Sequence, residues 1–235
     1  MTKQLHRDME AVQRDVLAMS AMVEEMINKA CRALREKDWA LANEVLETDT
    51  RVDEREVRVE EECLKVLALH QPVAIDLRRT AAVLKINNDL ERIADLAVNI
   101  AERAQYLADE DDFPVPPALG EMARLAIAMV RDALDSFVEH DAQAARRVIA
   151  RDDVVDNYNR AVIEEMYERM RSNPEHIGAA MHCFSASRHI ERIADHATNI
   201  AEDVVYLVEG EICRHRPTGQ EQEEKESVVP RGIDE

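Results

Sequence analysis

The feature that most limits what this chain can become is that it repeats itself. Residues 89–108 (DLERIADLAVNIAERAQYLA) align without gaps on 189–208 (HIERIADHATNIAEDVVYLV), with 12 of 20 positions identical. A second match, offset by 103, lays residues 38–53 on 141–156, and the two matches come in the same order in both halves. The 235-residue chain is therefore a duplication, and each copy is one structural unit.

Each unit reads as three helices. Only five glycines and seven prolines interrupt a chain rich in Ala, Leu, Glu, Arg and Met, and aromatic residues make up 3%, too few for a sheet protein. Asp38 and Asp141 suit N-caps, while Pro72 and Pro174 stand where new helices begin. The stretch 109–117 (DEDDFPVPP) cannot continue a helix and reads as a linker. The predicted helices span 5–36, 39–70, 72–108, 118–139, 142–171 and 174–210. The third and sixth carry heptad seams, with Val83, Ile86, Leu90, Ile93, Ala97 and Ile100 in one and Ile190, Ile193, Ala197, Ile200 and Val204 in the other. Valine recurs every seventh residue in the second (Val45, Val52, Val59, Val66) and again in the fifth (Val148, Val155, Val162). Short connections make neighbouring helices antiparallel. The expected fold is all-α: two tandem, duplicated three-helix bundles over 5–108 and 118–210, six long helices in all, with a Glu-rich tail over 211–235 expected to be disordered.

A formal net charge of -19 argues against nucleic acid as a direct partner and against free phosphate binding without a bridging metal ion. No apolar run approaches the roughly 20 residues that span a bilayer, and Met1-Thr2-Lys3-Gln4-Leu5 has no signal-peptide core, so the expected compartment is the cytoplasm. Cys31, Cys63, Cys183 and Cys213 are far apart, with no Cys-x-x-Cys pair, and read as reduced packing residues.

The residues that carry chemistry are acids. Glu91, Asp95, Asn99 and Glu102 follow one another at four, four and three residues and stack on one helix face, and Glu191, Asp195, Asn199 and Glu202 repeat the stripe. The second helix offers Asp49, Asp53, Glu56 and Glu60, and the fifth retains Asp152 and Asp156. At about 1.5 Å of rise per residue, the D-x-x-x-D and E-x-x-x-D pairs of each copy lie level, roughly 25 to 35 Å from the turn between their helices. Level acids repel one another, and a bound cation would reverse that cost. All-oxygen donors suit Mg, Ca, Mn or oxidised Fe. The bland alternative is a solvated acidic face with Arg92 and Arg192 as surface ion-pair partners. The acidic stripe lies opposite the heptad seam, which puts it on the outer surface and leaves open whether helix-2 and helix-3 acids share one site. His182, His189 and His196 have Ala82, Asp89 and Leu96 as counterparts and read as structural, while Trp39, Tyr106 and Tyr206 read as packing anchors. Asp76-Leu77-Arg78-Arg79 is either a docking patch or a solvated turn.

With DLRRT at 76–80, ERIAD at 91–95 and 191–195, and NIAE at 99–102 and 199–202, the chain resembles the PhoU family from about residue 5 to 210. The resemblance implies an accessory negative regulator of the high-affinity phosphate ABC transporter, working with that transporter's cytoplasmic ATPase subunit and a phosphate-sensing histidine kinase. It implies a homodimer held at the inner membrane only through partners. It also implies metal ions, whether Mg, Mn, Ca, Fe or Zn, on Asp49, Asp53, Glu91 and Asp95 in the first bundle and Asp152, Asp156, Glu191 and Asp195 in the second. The copies differ where Glu56 and Glu60 meet Asn159 and Ile163, so these are not carried over as shared ligands. Related chains serve other transport systems, which keeps a second regulatory reading open. A ferritin-like carboxylate-bridged metalloenzyme is the other alternative, but it uses E-x-x-H motifs inside a four-helix core, and no catalytic set stands at credible spacing here. An inert helical adaptor is the third.

Overall fold

The computed structural model describes residues 3–110 and 112–210. Its helices are α1 (Lys3–Glu36), α2 (Trp39–His70), α3 (Ala74–Ala108), α4 (Pro117–Glu139), α5 (Ala142–Ile149), α6 (Asp152–Ser172) and α7 (Ile177–Glu209), with a 3-10 turn at Pro174–His176 before α7. No strand occurs among the described residues. The proposed tail over 211–235, with Cys213 in it, lies outside them.

The duplication is visible in the turns. Lys37 and His140 both take left-handed backbone, at φ 55 and 54. The next residues, Asp38 and Asp141, send their N–H groups back to Ala33 and Ser136 at 3.0 Å each. Asp38 then caps α2 by accepting from the Leu41 N–H at 3.0 Å, and Asp141 caps α5 by accepting from Gln143 and Ala144 at 2.8 and 2.9 Å.

One predicted helix is broken. The segment 142–171 is α5 and α6, because the Arg151 N–H bonds Val148 at 2.9 Å and the Val154 N–H bonds Arg151 at 3.0 Å, a tighter three-residue spacing. Arg151 is tied there to Asp132 of α4 at 2.6 Å. The break leaves Asp152 and Asp153 in the first turn of a new helix, where the helix dipole favours negative charge.

α1, α2 and α3 form one bundle, and α4, α5 with α6, and α7 form the other. Helices α3 and α7 each bury fifteen residues, more than any other helix, because each packs on its own bundle and on the other. They run antiparallel. Lys85 meets Asp203 at 2.8 Å, Asp89 meets His196 at 2.8 Å, and Tyr106 stacks on His182 with ring centroids 4.4 Å apart. Alanines at 94, 97 and 101 and at 194, 197 and 201 are all buried along these helices, and small side chains permit close approach of their axes. The two apolar seams therefore merge into one core.

Tyr106 contributes to this inter-bundle contact, and Tyr206 lies beneath the Lys85 ammonium, 5.6 Å from its ring centroid. Trp39 departs from the expected anchoring role: it is 57% exposed, because its place just after the Asp38 cap points away from the core stripe of α2. Cys63 and Cys183 are buried free thiols, each pushed up to about 12 mainly by burial, and are chemically quiet.

Candidate metal centre

Two groups of carboxylates occupy the outer flank where α3 meets α2 and where α7 meets α6. Their placement follows from helix geometry: residues four apart stack on a face, and the faces of antiparallel neighbours meet at equal height. In the first bundle the Glu91 carboxyl is pushed above its ordinary value by burial, then by Asp95, with Glu56 and Asp53 adding and Arg92 opposing. Asp49 is pushed up by burial and by Asp53 and Asp95. Acids on α2 and α3 therefore feel one another across the helix pair.

The second bundle repeats the arrangement more strongly. Asp152 rises from 3.8 to about 6, through burial first, then Asp195 and Asp156, with the neighbouring Thr198 hydroxyl pulling the other way. Glu191 and Asp195 are raised chiefly by burial, with Asp156 contributing to both. All eight sequence-predicted residues thus fall into two groups of four: Asp49, Asp53, Glu91 and Asp95, and Asp152, Asp156, Glu191 and Asp195.

The donor chemistry fits a hard cation. One buried oxygen of Asp49 and one of Glu191 have no hydrogen-bond partner, a costly condition for a carboxylate. Among the described residues, however, no three acidic, histidine or cysteine side chains converge on a single point. Coordination would therefore require the side chains to swing inward from helices that already hold them level.

Two side chains outside the eight join these groups. Glu56, whose counterpart in the other copy is Asn159, belongs to the first group: burial, Glu60 and Asp53 raise it, and Asn87 donates to its carboxylate at 3.3 Å. Arg188 bonds Glu191 at 2.9 Å in the second group, where the first has Asn88. Alignment of the copies exposes both differences, but not their proximity to the acids.

The histidines stand elsewhere. His196 is bound to Asp89, His189 faces Ser185 at 3.2 Å, and His182 stacks on Tyr106. Burial first and Arg103 second push both His182 and His189 below the usual histidine value. The acids lie on the flank and are partly open to solvent, unlike the enclosed core site of a ferritin-like enzyme.

The family model described as PhoU domain matches residues 16–104 and 119–204, one match in each copy. A relative from Pseudomonas putida, a phosphate-specific transport system accessory protein PhoU homolog, is 38% identical over 218 residues, covering 91% of this chain and 84% of the relative. A homolog of the same description from Aquifex aeolicus is 39% identical over 212 residues, covering 90% of this chain and 96% of the relative. The crystal structure of PhoU from Pseudomonas aeruginosa superposes with a TM-score of 0.85 at 37% identity, covering 88% of this chain and 99% of that one. The phosphate transport system regulatory protein PhoU from Streptococcus pneumoniae gives a TM-score of 0.83 at 29% identity, covering 88% and 98%.

Proposed function

The chain belongs to the PhoU family, and on that footing we infer that it is an accessory protein of a phosphate-specific transport system that regulates by contact and not by catalysis. Its action is negative. It docks on the cytoplasmic ATPase subunit of a phosphate ABC transporter and on a phosphate-sensing histidine kinase, and so keeps phosphate-starvation genes silent while phosphate is plentiful. The working form is a homodimer in the cytoplasm, brought to the membrane by its partners. No described helix is long and apolar enough to cross a bilayer.

The observation that carries the metal part of this reading is the same interhelical grouping of acids in both copies. Asp49, Asp53, Glu91 and Asp95 would hold one ion or cluster, and Asp152, Asp156, Glu191 and Asp195 another. The ion supplies positive charge that cancels the repulsion within each group. The residues themselves tie α2 to α3 and α6 to α7, so loading stiffens the faces offered to partners.

Deleting the gene while leaving the transporter intact tests the regulatory role. Starvation genes should stay on in phosphate-rich medium, and the wild-type gene should restore silence. Normal repression in the deletion strain refutes it. A gene carrying Glu91→Ala and Asp95→Ala tests the metal part, since complementation equal to wild type would remove those carboxylates from the mechanism.

A further inference from the structure

Arg92 and Arg192 occupy the same place in the two copies, each the second residue of ERIAD. The antiparallel packing of α3 on α7 brings both to one groove of about 810 Å³, lined also by Lys85, Asn88, His196 and Asn199. The groove's acids are Asp89 and Glu202. Asp89 is engaged by His196 at 2.8 Å, and Lys85 by the buried Asp203 at 2.8 Å.

The two arginines are held loosely. Arg92 reaches Glu91 at 3.4 Å and Asp95 at 3.6 Å, with its side chain 54% exposed. Arg192 is exposed and lies in the field of Asp195, without an ion pair among the described residues. The side-chain amides of Asn88 and Asn199 likewise have no hydrogen bond among the described residues. Both guanidinium groups line one concave surface, and an oxyanion bound between them would make charge-assisted hydrogen bonds to each.

The net charge of -19 does not forbid such a ligand. At physiological salt the screening length is about 8 Å, so an anion in the groove responds chiefly to side chains within that distance, which include Glu91 and Asp95 beside Arg92. A groove this large exceeds a single phosphate and has the size of a small-molecule site. We propose that the α3–α7 groove binds a phosphate oxyanion, as inorganic phosphate or as the phosphoryl end of a small phosphomonoester. Arg92 and Arg192 hold the charge, and Asn88 and Asn199 donate neutral N–H groups. Arg92 also pairs with Glu91 and Asp95, so this site borders the first acidic group.

The test is calorimetric titration of the full chain, stripped of metal on a chelating resin, with inorganic phosphate and separately with ribose 5-phosphate. One or both should bind saturably, and the tighter identifies the source. The Arg92→Gln/Arg192→Gln double variant should weaken binding about tenfold or more, as expected for loss of charge-assisted bonds. Arg171→Gln, on a side chain 82% exposed on α6, should change nothing. Both groove arginines are exposed, so the double variant should keep its helical circular dichroism. Failure of both ligands to saturate, or binding that survives the double substitution, overturns the proposal.

Discussion

Replacing Asp152 by Asn separates the cost of the acidic group from its use. Asp152 is raised from 3.8 to about 6, so between those values the folded chain binds more protons than the unfolded one. Stability is therefore fully present below about pH 4 and is lost as pH rises through about 6. At 1.36 kcal/mol per unit the full shift corresponds to about 3 kcal/mol; solvent screening of a partly exposed group reduces this to about 1–2 kcal/mol. Asp152→Asn should thus stabilise the metal-free protein at pH 7.5 by that amount less the roughly 0.3–1 kcal/mol that the α6 N-terminus gives the charged form, a net of about 1 kcal/mol and a rise in Tm of about 2–4 °C for a chain of this size. At pH 4 the gain should vanish, since the native carboxyl is already neutral. With excess Mn²⁺ at pH 7.5 the order should reverse, because the amide is a poorer ligand and the wild type gains RT ln(1 + [L]/Kd). Thermal unfolding by circular dichroism, with chelator and then with metal, reads all three conditions. An equal shift at pH 4 and 7.5, or a loss of stability in the metal-free protein at pH 7.5, would refute the electrostatic account of this site.

The two Asp caps should behave as copies of each other: Asp38→Ala and Asp141→Ala should each cost about 1 kcal/mol in urea unfolding, and a negligible loss at either would deny its capping role. Gln71 ends α2 at φ 45 with its side chain exposed, so Gln71→Gly should raise stability by about 1 kcal/mol, measured by the same titration. Ile93→Ala, at a fully buried position of the central helix, should cost about 2–5 kcal/mol and lower the urea midpoint without changing the m-value; a loss under 1 kcal/mol would mean that α3 is not the centre of the shared core.

Much of the acidic site was legible before the fold was known, since stacking at four residues and rise along a helix are local properties. Counting residues from the α2–α3 turn was enough to set Asp49 and Asp53 level with Glu91 and Asp95. Rotation of α2 about its own axis was not countable, because it depends on how Val45, Val52 and Val59 seat against α3. Comparison of the copies does not mark Glu56, whose counterpart is Asn159, although packing places it among the acids.

The sequence by itself determined the helices, the duplication and the pairing of acids within each copy, because caps, prolines and periodic side chains act over a few residues. Only the tertiary structure decided how the copies face each other. Lys85 and Asp203, or Arg92 and Arg192, are about a hundred or more positions apart, and no local pattern records that α3 and α7 run antiparallel with these side chains along one groove. That choice belongs to the shape of two alanine-rich helix faces in contact. It also separates local charge from total charge: the formal sum of -19 is fixed by composition, whereas the field in any one groove depends on which side chains packing gathers there.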